Sequence, residues 1–169
     1  MQLADLQNKK IIVGISGGIA AYKSLSLIRL LVRSGAEVQA ILTAGATEFI
    51  TPLTVSTLSK NPAIYQLTSG TGGDLWNNHV EMGIWADAMI IAPATANTLS
   101  KMAHGHSDNL LLATYLSARC PVLVAPAMDA DMWEHPSTQR NLRLLKEDHV
   151  RIIPARHGEL ASGLIGMGR

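Results

Sequence analysis

Aromatic residues are scarce in this chain: three tryptophans, three tyrosines and one phenylalanine make up 4% of 169 residues. The hydrophobic share is still 47%, carried mostly by Ala, Leu, Ile and Val. That is enough for a proper core and excludes disorder, and side chains of that size suit helices packed on a sheet. There is one cysteine, Cys120, which excludes an internal disulfide and fits a reducing, cytoplasmic compartment. It precedes Pro121 and an apolar run, the setting of a structural thiol rather than a nucleophile. Charge of either sign is also short. Lys and Arg number 14 against 13 Asp and Glu, a net of +1, with no basic or acidic tract to attract nucleic acid or a membrane surface. No apolar stretch reaches the ~18 residues of a membrane helix. The opening MQLADLQNKK lacks the apolar region of a signal peptide. The histidines show no HExxH spacing. His104 and His106 flank Gly105 without a third partner, so no metal site is expected.

What is present is a strand–helix alternation over the length of one domain, 1–169, without repeat or linker. Lys10 to Ser16 reads as a strand and Ile19 to Arg33 as a helix, with Leu25, Ile28, Leu31 and Val32 at helical spacing. Glu37 to Thr43 is a second strand. Thr47 to Ile50 and Pro52 to Ser59 follow as short helices, Asn61 to Leu67 as a weak strand, and Thr68 to Asn78 as a polar loop. Helices are expected at Val80–Ala86, Thr95–Ala103, Asp108–Ala118 and Ser137–Lys146, with strands at Ala88–Ala92, Val122–Ala125 and Val150–Pro154. The order predicts an α/β fold: a doubly wound parallel sheet with helices on both faces. Residues 155–169 are glycine-rich and show no core pattern.

Two of the apolar runs lead directly into unusual segments. Ile90-Ile91-Ala92 opens into PATANT at 93–98, and Val122 to Ala125 opens into PAMDADMW at 126–133. In an open parallel sheet ligands sit at the carboxyl ends of the strands, so both segments belong to the rim of one pocket. They offer small residues, hydroxyls, one amide (Asn97) and carboxylates, which suits a flat, polar, partly aromatic guest such as a flavin better than a metal. Ser16-Gly17-Gly18-Ile19-Ala20 joins strand to helix, where glycines let backbone N–H groups approach an anion and Ser16 can offer a hydroxyl. The plain alternative is a tight turn, and GxGxxG is absent, which argues against a standard NAD site. Thr43 stands at the same rim, either for a ligand or as a helix cap. His79 heads HVEMGIWAD, either as a base near neutral pH or as a capping histidine. Asp129 and Asp131 fit a helix start, and Met128, Met132 and Trp133 fit a core, but the density of Pro, Met and acid in eight residues favours a functional loop.

Together these segments resemble the flavin-containing cysteine decarboxylases, in particular the phosphopantothenoylcysteine decarboxylase branch of coenzyme A biosynthesis. The resemblance covers nearly the whole chain through SGGIAAYK at 16–23, HVEMGIWAD at 79–87, PATANTLSKMAHGHSDNLL at 93–111, PAMDADMWEHPST at 126–138 and the glycine-rich end at 158–169. It implies a flavodoxin-like Rossmann fold binding FMN. It implies trimers, often gathered into dodecamers, with FMN near a subunit interface. Gly17, Gly18 and Ile19, with Ser16 and Thr43 nearby, would hold the phosphate end. Thr95, Ala96, Asn97, Thr98 and Ala127 would line the FMN, and His79 would be catalytic. Asp129 and Met132 would meet the substrate, and 155–169 would form a flap over it. The implied reaction is oxidation of a terminal cysteine unit at Cβ, loss of CO₂ from the resulting thiocarbonyl compound, and return of hydride to give 4′-phosphopantetheine.

The chain departs from the family twice. Asp129 stands where the family writes asparagine, so an anion replaces a group able to donate to a substrate carboxylate. Ser162 replaces the flap cysteine that donates a proton, and an alcohol is a far weaker acid than a thiol. Either another group reprotonates the product, which is the expectation here, or the reaction stops at the enethiol, as in the oxidative peptidyl-cysteine decarboxylases. A flavin prenyltransferase shares the fold and FMN but has no use for the His79 and PAMDADMW pair. A non-catalytic FMN-binding subunit is the remaining alternative. Many bacterial relatives carry a fused ligase domain downstream.

Overall fold

The computed structural model describes residues 6–69, 75–155, 157–159, 163 and 165–167. Five parallel strands form the main sheet. Strand β1 is Lys10–Ile15 and β2 is Glu37–Leu42. A short antiparallel hairpin follows, β3 (Thr68–Ser69) with β4 (Leu75–Trp76). Strands β5 (Ala88–Ala94), β6 (Val122–Pro126) and β7 (Arg151–Ile152) complete the sheet, in the order β2-β1-β5-β6-β7. The connections run outward from β1 to one edge and from β5 to the other. The order therefore reverses between β1 and β5, and a crevice opens above their carboxyl ends.

Side-chain alternation along the strands divides the core in two. Ile11, Val13 and Ile15 of β1 and Val38, Ala40 and Leu42 of β2 face helices α1 (Ala21–Arg33) and α2 (Pro52–Ser59). Ile12, Met89, Ile91 and Val124 face the other layer. That layer contains α3 (His79–Trp85), α4 (Ala96–Ala103), α5 (Leu110–Ser117) and α7 (Pro136–Glu147). Between β6 and α7 lies a one-turn helix, α6 (Ala130–Glu134). Gly14 breaks the apolar run of β1 because Leu111 of α5, 1% exposed, occupies the space a Cβ would need. On the same layer Gly83 of α3 faces the Ser117 carbonyl of α5 so closely that a Cβ would strike it.

The expected fold class, a flavodoxin-like parallel sheet with helices on both faces, is what the structure has. Several boundaries differ. The helix expected from Ile19 begins at Ala21, leaving residues 17–20 as open loop. Thr47–Ile50 is replaced by a 3-10 turn at Ala44–Glu48, capped by the Thr43 side chain. Of the weak strand at 61–67 only Ile64 pairs, with Ile41. The last strand is cut to two residues. Two hairpins were not anticipated: β3–β4 inside the polar loop, and β8 (His157–Glu159) with β9 (Ile165–Met167) in the glycine-rich end. Both lack the apolar alternation that marks a strand packed on a core. Among the described residues no helix is long and apolar enough to cross a membrane.

The Gly14–Leu111 fit is testable by a double-mutant cycle. Gly14→Ala overpacks the site and should cost about 1–3 kcal/mol. Leu111→Ala opens a cavity and should cost about 2–5 kcal/mol. Combined, they should cost at least ~0.5 kcal/mol less than their sum, because the new methyl enters the vacated space. Urea unfolding of the three variants gives the coupling, and strict additivity would mean the two residues do not compete for one volume.

Candidate functional site

The topology sets the order in which the rim segments stand. Moving across the sheet, the loop after β2 comes first, then those after β1, β5, β6 and β7. Neighbouring strands lie about 4.8 Å apart, so the glycines after β1 and the residues after β6 are separated by roughly 10 Å. Between them lies a cavity of about 1270 Å³. A single small ligand typically occupies about 300–1,000 Å³, so this space has room for two molecules side by side.

One end of the cavity is a backbone cradle. Gly17 packs against the loop after β2, where a Cβ would stand 2.6 Å from the Gly45 carbonyl carbon and 2.7 Å from its oxygen. Only glycine permits this approach, because the obstacle is main chain and cannot rotate away. The N–H groups of Gly17, Gly18, Ile19 and Ala20 donate no backbone hydrogen bond among the described residues. Ala20, at the N-cap of α1, supplies no capping side chain, and the first turn holds no acid. An uncapped helix N-terminus with free N–H groups is a site for an anion. Thr43 closes this end. It caps the 3-10 turn, accepting from the Ala46 N–H at 3.3 Å, and also lines the cavity. Thr43 is therefore a cap that also stands on the cavity wall.

The middle of the rim follows β5. Thr95 is the N-cap of α4, its hydroxyl accepting from the Thr98 N–H at 3.4 Å and donating to Thr98 Oγ1 at 3.2 Å. Ala96, Asn97 and Thr98 line the cavity with it, Asn97 exposed and Thr98 buried. Ser16 does not line the cavity. It is 1% exposed, and its hydroxyl donates to the Pro93 carbonyl at 2.7 Å and accepts from the Thr95 N–H at 3.0 Å. The sequence offered that hydroxyl to a phosphate; in the structure it bolts β1 to the PATANT turn beneath the cavity. Ser24 of α1 does the same one residue earlier on β5, donating to the Ala92 carbonyl.

The far end follows β6. Ala127, Met128, Asp129 and Met132 line it. The segment expected as a loop is the short helix α6, with Asp129 at its N-cap but making no capping bond to it. Met128 and Trp133 pack partly against the core, as the plain alternative had it, while Met132 is 49% exposed at the cavity wall.

His79 is not among the lining residues. Asp87, just past α3, donates its N–H to the Lys10 carbonyl at the amino end of β1. Helix α3 thus descends the sheet, and His79 at its start stands on the rim side. The cap of α3 is Asn78, whose side chain accepts from Val80 and Glu81, so His79 is not a capping residue. Its Nδ1 is buried with no hydrogen-bond partner, and its ring meets Trp76 edge to face at 5.6 Å. Trp76, Val80 and Ile84 around it are exposed apolar residues. Ser162 lies outside the described residues.

Sequence reasoning missed the cations of the cavity. Lys23 lines it from the first turn of α1, and Lys101 from α4. Lys101 pairs with Asp108, and its donated hydrogen bond holds that carboxyl below the usual range. Lys23 was legible as an oddity: a cation at a helix N-terminus opposes the helix dipole unless an anion joins it. A smaller cavity of about 580 Å³ lies at the amino ends of the strands beside Tyr115 and Cys120. Burial pushes both side chains' pKa values up, which fits Cys120 as a structural thiol. Among the described residues no cluster of His, Cys, Asp or Glu can hold a metal.

The chain is similar to known proteins. The Flavoprotein family model matches residues 2–169. A cysteine/cysteine sulfinic acid decarboxylase from an unknown prokaryotic organism is 60% identical over 120 residues, 71% of this chain and 33% of that protein. The coenzyme A biosynthesis bifunctional protein CoaBC of Bacillus subtilis (strain 168) is 40% identical over 164 residues, 97% of this chain and 40% of that protein. The chain thus spans a third to two fifths of the curated relatives it matches. Among solved structures, a PPC decarboxylase mutant complexed with pantothenoylaminoethenethiol superposes with a TM-score of 0.84 at 34% identity, covering 96% of this chain and 90% of that one. The FMN-dependent cysteine decarboxylase SpaF superposes with a TM-score of 0.82 at 32% identity, covering 97% and 91%.

Replacing Ser16 by Ala leaves the Thr95 N–H without its partner under the cavity floor, while the Pro93 carbonyl keeps only the Ser16 N–H. The variant should lose about 1–3 kcal/mol of stability, the usual cost of stranding buried polar groups. A denaturation midpoint equal to that of the parent would show that the bolt contributes nothing.

Proposed function

The chain belongs to the flavoprotein family, and on that premise we propose that it is an FMN-dependent carboxy-lyase of coenzyme A biosynthesis. Its reaction removes CO₂ from 4′-phospho-N-pantothenoylcysteine and gives 4′-phosphopantetheine. The observation that carries this reading is the single cavity in which an uncapped glycine cradle, the PATANT turn and the PAMDADMW turn meet. The N–H groups of residues 17–20, set by the close contact of Gly17 with Gly45, fit a bound phosphate monoester, and the volume fits a cofactor with its substrate.

Gly17, Gly18, Ile19 and Thr43 hold the phosphate end of FMN, with Lys23 as an added cation. Thr95, Ala96, Asn97, Thr98 and Ala127 line the remainder, Asn97 with an amide that donates and accepts at once. When bound, FMN supplies reversible hydride acceptance at the cysteine Cβ. Ser16 acts from beneath by fixing the turn that carries these groups. Met132 and Asp129 meet the cysteine end of the substrate, and Met132 keeps water from it. His79 moves the substrate proton as general base. Ser162 is an alcohol where the family has a thiol, so reprotonation falls to another group.

His79 serves this chemistry from a neighbouring copy. Two different apolar patches support that arrangement: Trp76, Val80 and Ile84 beside His79, and Ile19, Tyr22 and Ile153 at the cavity. Pairing unlike patches head to tail gives a ring when the rotation closes, and the family resemblance makes that ring a trimer or a multiple of it up to a dodecamer. The bifunctional CoaBC relatives support a ligase domain as a fused partner, and the lone thiol supports a reducing, cytoplasmic setting. A second reading of the substrate, favoured by the cysteine/cysteine sulfinic acid decarboxylase relative, is a cysteine that carries no acyl group.

Gly17→Ala should abolish FMN binding at micromolar concentration, read by flavin fluorescence quenching. His79→Asn should keep FMN and the assembly but lose at least ~100-fold in CO₂ release, the usual scale of acid–base assistance. Near-normal turnover in that variant would remove His79 from the mechanism. Light scattering should give a multiple of three; a monomer that still binds FMN tightly would contradict the shared site.

A further inference from the structure

Three consecutive residues fix the approach to His79. Trp76 ends β4 and pairs with Thr68 of β3. The Asn77 N–H donates to the Leu67 carbonyl and its side-chain amide to the Gln66 carbonyl, both at 2.8 Å. Asn78 caps α3 by accepting from the N–H groups of Val80 and Glu81. The backbone of His79 is thus held from both sides, while its ring makes no hydrogen bond among the described residues. Of the two ring nitrogens Nδ1 is the buried one, so Nε2 is the one able to meet a substrate. The group set against the ring is the Trp76 indole, edge to face at 5.6 Å with the planes 75° apart.

A base that works through Nε2 must start with its one ring proton on Nδ1. A buried N–H without an acceptor is costly, so a ring left to itself would keep that proton on Nε2, where it blocks the base. An aromatic face is electron-rich and accepts an N–H from the edge of a ring standing across it. We infer that Trp76 is a positioning residue for His79: its indole face takes the Nδ1–H, which keeps Nε2 bare and turned to the substrate. The inference rests on the reading above in which His79 is the general base. When the substrate's proton passes to Nε2, its bonding pair stays on the substrate and the ring becomes a cation. The same indole face then steadies that cation, by an attraction that grows as water is excluded. Val80 and Ile84 beside Trp76 are exposed apolar residues, and a neighbouring copy seated on them supplies that exclusion. The proton passes to solvent before the next turnover.

The test compares the FMN-loaded parent with Trp76→Phe, Trp76→Leu, His79→Asn and the double variant Trp76→Leu/His79→Asn. CO₂ release from phosphopantothenoylcysteine gives kcat and KM, and light scattering gives the assembly. Trp76→Leu keeps apolar bulk without a π face, and should lower kcat by about tenfold with KM within about twofold. Trp76→Phe keeps a face and should stay within about threefold of the parent. In the His79→Asn background Trp76→Leu should cost nothing more, because the residue it acts through is gone. Nitrogen-15 NMR of histidine-labelled protein supplies a signature that packing alone does not move, the His79 signals being those lost in His79→Asn. The neutral ring should hold its proton on Nδ1 in the parent and on Nε2 in Trp76→Leu. A parent with that proton already on Nε2 would overturn the assignment. So would equal losses in both backgrounds, or a rate loss in Trp76→Leu that comes with a broken assembly. Near-normal turnover in His79→Asn would instead overturn the reading of His79 as base, and an FMN-loaded parent that releases no CO₂ would overturn the decarboxylase reading. In either case the NMR comparison still decides whether Trp76 holds the proton on Nδ1.

Discussion

One hydroxyl holds the crevice in shape. Where the strand order reverses, the pairing of β1 with β5 ends at the Ser16 N–H, which donates to the Pro93 carbonyl at 3.3 Å. The Ser16 hydroxyl reinforces it, donating to the same carbonyl and accepting from the Thr95 N–H. The glycine cradle on one side and the α4 N-terminus on the other are then rigid with respect to each other. Binding groups set by backbone need such a fixture, because a backbone N–H has no rotamer with which to correct a misplaced loop.

The second constraint is the contact of Gly17 with Gly45, which brings the loops after β1 and β2 closer than any side chain allows. Together the two constraints explain why the site is made of small residues. The scarcity of aromatics noted at the outset belongs to the same pattern: the chain leaves a wide space at its rim instead of filling it with its own rings.

The parallel sheet was legible because buried parallel strands read as apolar runs and the helices between them as 3.6-residue periodicity. The rim segments were legible because they follow those runs. What escaped has a common physical cause. Hairpins β3–β4 and β8–β9 are two or three residues to a strand and held by backbone pairing, so no hydrophobic pattern announces them. The role of Ser16 as a bolt depends on a partner 77 positions away, which no local reading supplies. The Lys101–Asp108 pair, closed across the turn between α4 and α5, is of the same kind. His79 was read as either a base or a capping residue, and the structure gives the cap to Asn78. Its place away from its own chain's cavity is a matter of topology, visible only once α3 was seen to descend beside α5.

A residue that stands apart from the cavity of its own chain separates genotype from phenotype. In a ring where each His79 serves its neighbour, a chain lacking the histidine still presents an intact cavity, and a chain with a closed cradle still presents an intact histidine. Mixed rings of the two defective chains would therefore contain complete sites that neither chain forms alone. The unit on which selection acts is then the contact between copies. A harmful change in one allele is partly masked, or partly spread, by every ring into which it is drawn.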